Sequence, residues 1–185
     1  EIELETNRGA IVVNDKMETS VEGIYAPGDV NATLMLAHSA SKMAEIAAIN
    51  ALGGDETYDG SQTPSCIYTI PEVSTVGLQE KEAKEKYSNV GVGKFPFGSN
   101  GRALASGERD GFVKVVTNND NGEILGVHIV GVNAAEMINE AAVLIQAGVK
   151  AEELAEMVHA HPTYSESLME ASADTFGKCI HLPKK

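Results

Sequence analysis

Gly111-Phe112-Val113-Lys114-Val115-Val116-Thr117-Asn118-Asn119-Asp120-Asn121-Gly122-Glu123-Ile124-Leu125-Gly126-Val127-His128-Ile129-Val130 is the stretch that decides the fold. Two runs rich in β-branched residues, Gly111 to Thr117 and Ile124 to Val130, flank a polar segment whose Asn, Asp and Gly side chains favour a tight reversal. An antiparallel hairpin is the expected result. Further strand-like runs lie at Cys66 to Thr69 and Gly91 to Phe97. Helical patterns cover Gln79 to Tyr87, Ala134 to Ala147, Ala151 to Ala160 and about Ser165 to Phe176. The β-α-β alternation of a doubly wound sheet is missing, so the pattern predicts an α+β domain: an antiparallel sheet flanked by helices.

Upstream of this unit the pattern changes. Gly23-Ile24-Tyr25-Ala26 reads as a strand closing on the turn Pro27-Gly28-Asp29, and Leu34 to Ala51 is built almost wholly of helix formers until Gly53-Gly54. Polar residues between Tyr58 and Pro64 read as a boundary, which predicts two units, 1–62 and 63–185.

Composition limits the function. Hydrophobic residues at 43% and charged residues at 22% are ordinary globular values and argue against disorder or a fibrous repeat. A net charge of -13 repels phosphate backbones and anionic headgroups, so neither nucleic acid nor a membrane surface is an expected partner. The apolar stretch around Ile124 to Val132 is far short of the ~20 residues a membrane span needs. Cys66 and Cys179 are too far apart for a metal-ligand or CxxC pair and read as small, semi-buried apolar residues, which suits a reducing, cytoplasmic setting. The chain opens on Glu1-Ile2-Glu3-Leu4-Glu5 without an initiator Met or a leader, so it is expected to be a C-terminal fragment of a longer protein.

Two constellations carry chemistry. The first is His159-Ala160-His161-Pro162-Thr163-Tyr164-Ser165-Glu166. Pro162 breaks the preceding helix and makes a cis bond after His161 affordable, at about 0.5–1 kcal/mol, which would aim the imidazole. Five residues on, Glu166 is in reach of that imidazole, and together they would form a tuned general base. Thr163-x-x-Glu166 equally matches a helix capping box, so two roles stand open for Glu166. His159 reads as a structural, hydrogen-bonding histidine. The second constellation is Gly28-Asp29 at a strand end, followed by Met35-Leu36-Ala37-His38 opening a helix. Asp29 suits a sugar or polyol hydroxyl, and the helix-start amides suit an electron-rich ring edge. Gly-Asp at a turn is also common for purely local reasons.

The chain resembles the pyridine nucleotide-disulfide oxidoreductase family over essentially its whole length. The resemblance is carried by Gly23 to Asp29, Met35 to His38, Pro64-Ser65-Cys66-Ile67-Tyr68-Thr69-Ile70-Pro71-Glu72-Val73, Gly93-Lys94-Phe95-Pro96-Phe97, Asn133 to Glu140, and His161-Pro162-Thr163. Pro27 and Cys66 depart from the family's usual residues. The resemblance implies that residues 1–62 are the tail of an FAD-binding domain and 63–185 the dimerisation, or interface, domain. It implies Gly28 and Asp29 at the flavin's ribityl chain, Met35, Leu36, Ala37 and His38 under its ring, and His161 with Glu166 as the catalytic dyad. Within the family the pattern is most similar to the members that oxidise protein-bound dihydrolipoamide with NAD, through FAD and a redox disulfide. The implied partners are a second subunit, in a homodimer that buries the apolar faces of helices such as Ala134 to Ala147, and the lipoyl domains of 2-oxo acid dehydrogenase or glycine cleavage complexes. Neither the GxGxxG fingerprints nor the CxxxxC pair of the family occurs in these 185 residues, so the chain is expected to be inactive alone. Another disulfide reductase of the family, or a non-catalytic dimerisation module, are the alternatives.

Overall fold

The computed structural model describes residues 2–183. Two compact units, Glu1–Gly60 and Ser61–Lys185, divide the chain. In the first, strands β1 (Thr6–Asn7) and β2 (Ala10–Ile11) form a small antiparallel pair, and α1 spans Ala37–Ala51. Met17, Met43, Ile46 and Ala47 make its core. Of the segment expected as a strand at Gly23 to Ala26, Gly23 lies in a turn with φ of +75°, and the rest joins its neighbour at a single bridge, Glu18 to Tyr25. Two backbone bonds close that bridge, Thr19 N–H to Ile24 and Ala26 N–H to Met17.

The second unit is a five-stranded, wholly antiparallel sheet with helices, as the alternating pattern predicts. Its strands are β3 (Ser65–Ile67), β4 (Val73–Gly77), β5 (Val90–Pro96), β6 (Gly111–Asn118) and β7 (Glu123–Gly131), in the spatial order β3-β4-β7-β6-β5. Helices follow at α2 (Glu80–Lys86), α3 (Gly101–Ser106), α4 (Ala134–Gln146), α5 (Ala151–Glu156) and α6 (Glu166–Asp174). The quoted hairpin is β6-β7. Its register sets Val113 opposite Ile129 and Val115 opposite Val127, and all four face the core with Phe95, Ile138 and Leu168. Lys114 opposite His128 lies on the other face, as a period of two requires.

A bulge between Val116 and Thr117 then shifts the register, and Val116 packs with Ala83 and Leu125 in a small cluster beneath α2. Glu80 of α2 is bonded to Lys114 and Lys84, and these cations hold its carboxyl down at about 2.

Three differences from the sequence pattern have physical causes. Strand β4 was not expected, because Ser74, Thr75 and Gly77 dilute its apolar signal. Ser74 is nonetheless fully buried and donates to the Ala134 carbonyl at 2.7 Å. Helix α5 stops at Glu156 rather than Ala160, with Met157 already extended. The apolar face of α4, expected against a partner, is instead used internally: Ala134, Met137, Ile138 and Ala141 are buried in the unit's own core. Exposed apolar side chains include Val143 on another side of α4, and Ile67, Tyr68, Ile70 and Val158 elsewhere. Among the described residues no helix is long and apolar enough to cross a membrane.

Candidate functional site

The turn between α5 and α6 carries His159, His161 and Glu166. The His161–Pro162 peptide bond is cis. Nδ1 of His161 lies 2.9 Å from Oε1 of Glu166, the first residue of α6, and the ionised carboxylate can only accept that bond. Oε2 of the same carboxylate accepts the Thr163 amide at 2.8 Å. The two bonds expected of Glu166 are therefore both made, one by each oxygen. The capping box is only half formed, since the Thr163 hydroxyl donates to the Ala160 carbonyl instead. The imidazole side chain is 74% exposed and the carboxylate 20%. A held Nδ1–H leaves Nε2 with the lone pair, the arrangement a general base needs.

His159 sits apart from this role. Its ring is held between Glu140 of α4, at 2.9 Å, and the Met157 carbonyl, at 3.1 Å, and its side chain is 9% exposed. That is the structural use the sequence suggests.

Asn100, which sequence reasoning missed, anchors the turn from below. Buried at 3% exposure, it donates to the Thr163 carbonyl and the Ser167 hydroxyl, both at 2.9 Å, and accepts the Ala103 amide as the N-cap of α3. An Asn before Gly-Arg-Ala-Leu is a capping signal that would have found α3, though not its link to Thr163.

A cavity of about 230 Å³ lies here, lined by Asn100, Gly101, His161, Glu166, Glu170 and His181 among others. A larger one, about 660 Å³, lies between α2 and the sheet. Its Glu80, Lys84 and Lys114 pair with one another, whereas the smaller cavity holds the imidazole-carboxylate pairs.

Burial pushes the Glu166 carboxyl up, but the Thr163 amide and the His161 imidazole together outweigh it, so its net displacement is downward. A depressed folded value means that the stabilising bonds are complete above the ordinary carboxylate range and are lost as pH falls through the lower, folded value. The Thr163 amide resonance should therefore shift in acid with a midpoint below the ~4.3 of an unperturbed glutamate. A midpoint at or above that value would contradict the geometry. Neither cysteine is activated: burial, with Glu170 beside it, pushes the Cys179 thiol up to about 12, and burial, with Glu72 and Glu136, pushes Cys66 up.

In the first unit, Gly28 is buried with φ of +84°, and a Cβ there would meet the Ala40 Cβ at 3.3 Å. Only glycine suits both conditions. Asp29 follows it, exposed, at the start of a short 3-10 turn, Asp29–Asn31. Asn31, also missed from sequence, is buried and pins the turn by donating to the Ala26 carbonyl and accepting the Thr33 amide. Leu36 is the N-cap of α1, and its side chain supplies no capping bond. Met35, Ala37 and His38 are exposed around that helix start and Leu36 is half-buried. An exposed carboxylate and the N-terminus of α1, in one unit, fit a ligand that offers hydroxyl donors and an electron-rich edge.

Residues 63–172 match the family model described as the pyridine nucleotide-disulphide oxidoreductase dimerisation domain, and residues 1–44 match the model described as pyridine nucleotide-disulphide oxidoreductase. The dihydrolipoyl dehydrogenase of Thermus scotoductus is 46% identical over 175 residues, covering 95% of this chain and 38% of that protein. The mitochondrial dihydrolipoyl dehydrogenase of Bos taurus is 45% identical over 181 residues, covering 97% and 35%. Among solved structures, LpdA from Mycobacterium tuberculosis is similar with a TM-score of 0.83 and 31% identity, covering 91% of this chain and 37% of that one. The HOCl-induced flavoprotein disulfide reductase RclA from Escherichia coli is similar with a TM-score of 0.81 and 27% identity, covering 92% and 40%. The chain thus spans little more than a third of the length of the curated relatives it matches.

Proposed function

Because the chain belongs to the pyridine nucleotide-disulphide oxidoreductase family, we propose that it is the C-terminal part of a dihydrolipoyl dehydrogenase, carrying the proton-accepting dyad and the dimer-forming domain. The bond from His161 Nδ1 to the Glu166 carboxylate carries this reading. It fixes the tautomer and orientation of the ring, so Nε2 takes the proton from a thiol of dihydrolipoamide and leaves the more nucleophilic thiolate. Glu166 then faces an imidazolium, and its negative charge stabilises the form that the proton transfer creates. Thr163, Asn100 and Ser167 keep the carboxylate and the turn in place around it.

Asp29 and the first-turn amides of α1, with Met35, Leu36, Ala37 and His38, would hold FAD, and Gly28 would let the backbone turn there without a side chain in the way. The flavin, when bound, would carry the electron pair from the dithiol to NAD. The exposed Ile67, Tyr68 and Ile70 beside the sheet edge at β3 supply apolar surface for a second copy in a homodimer. Lipoyl domains of a 2-oxo acid dehydrogenase or glycine cleavage complex would present the dithiol.

The test is substrate choice. The full-length protein should reduce NAD with dihydrolipoamide and should not reduce glutathione disulfide with NADPH. The reverse preference would assign it to another reductase. The 185-residue chain alone should show neither turnover nor a stoichiometric yellow flavin, and activity in the pure chain would contradict the proposal.

A further inference from the structure

Glu170 lies one helical turn beyond Glu166 on α6, almost wholly buried, and no step above uses it. Its carboxylate gathers the end of the described chain. Oε1 accepts Nδ1–H of His181, and Oε2 accepts the Cys179 thiol at 2.8 Å and the Ile180 amide at 3.0 Å. The segment turns back onto α6 at Gly177, whose φ is +73°. His181 is thereby placed in the wall of the same 230 Å³ cavity as His161, with its side chain 64% exposed.

The two pairs are built alike. In each, a glutamate of α6 accepts Nδ1–H of an imidazole, and Nε2 is the ring nitrogen left to exchange a proton. We propose that His181, held by Glu170, is a second proton-accepting imidazole of this cavity, which receives the substrate proton from His161 and passes it to bulk solvent.

This rests on the function proposed above. The dithiol proton goes to Nε2 of His161, from there through cavity water to Nε2 of His181, and then to buffer; no electrons move in these steps. The cavity has room for several waters at ~30 Å³ each, and its polar walls supply their partners. The ionisable groups around the path are His161, Glu166, Glu170 and His181, with Cys179 behind Glu170. Cys179 stays a thiol and serves only as a donor to Glu170, whose carboxyl remains displaced downward: burial raises it, and the Cys179, His181 and amide donors outweigh burial.

The full-length holoenzyme tests this with His181→Asn, whose amide can still donate to Glu170, and with His181→Gln as a second variant. At low buffer concentration, NAD-linked dihydrolipoamide oxidation should fall about tenfold, less than the ~10²–10⁴ expected for losing a primary base. Added imidazole should restore it, and transfer from NADH to an artificial acceptor should be unchanged. No loss in either variant, or a loss that imidazole does not restore, overturns the relay. His161→Gln serves as the reference. If that variant keeps full dithiol activity, the function itself is wrong; if it loses activity while both His181 variants keep theirs, only the relay is wrong.

Discussion

His161→Gln in the full-length enzyme is expected to lower NAD-linked oxidation of dihydrolipoamide by ~10²–10⁴-fold, the usual worth of a general base. A glutamine amide can still donate to Glu166, so the carboxylate keeps a partner, but it offers no nitrogen that takes up a proton near neutral pH. Fold and flavin content should survive, because the side chain is largely exposed and substitutions at such positions are usually within about 0.5 kcal/mol. Electron transfer from NADH to an artificial acceptor requires no thiol deprotonation and should be nearly unaffected. Glu166→Gln should cost less than His161→Gln, since the base remains while its countercharge is lost. Equal losses of both activities in His161→Gln would point to misfolding rather than to chemistry. Unchanged dithiol turnover would remove His161 from the mechanism.

The sequence reveals those parts of this molecule that repeat or sit close together. The β6-β7 hairpin is legible because alternation and turn chemistry agree over twenty consecutive residues. The His161–Glu166 bond is legible because five residues and a proline separate the partners. Strand β4 is hidden, since what makes it a central strand is a long-range fit: Ser74 trades solvent for the Ala134 carbonyl sixty residues away. The end of α5 is hidden for a related reason. Helix formers continue past Glu156, but the Met157 carbonyl is claimed by the His159 ring. The cover of the α4 stripe through Met137, Ile138 and Ala141 is not legible, because an amphipathic pattern reports that a stripe is buried without reporting against what, and for this stripe the cover is the unit's own sheet. Glu170 and His181 stayed invisible because they meet only after the chain reverses at Gly177.

Gly93 carries the second large effect, and it acts through packing alone. In β5 it pairs with Val115, and a Cβ at this position would collide with the Ala171 carbonyl and the Thr175 amide of α6 and the turn after it. These are backbone atoms and cannot rotate aside, so α6 lies against the strand only because position 93 has no side chain. The Lys94 amide, donating to Asp174 at 3.0 Å, holds the same contact from the neighbouring residue. Any larger residue must push α6 off the sheet, and α6 carries both Glu166 and Glu170. Gly93→Val should therefore cost at least the ~1–3 kcal/mol typical of an overpacked core. For a chain of this size that is a melting temperature lower by roughly 2–12 °C. Dithiol activity of the full-length variant should fall with it, as the glutamates leave their imidazoles. Gly98→Ala is the control: it lies nearby in sequence, and a Cβ there meets nothing within 4 Å. Thermal melts of the two variants should differ clearly. If Gly93→Val melts with Gly98→Ala and with the unaltered chain, then α6 does not depend on that close approach and the site is positioned by something else.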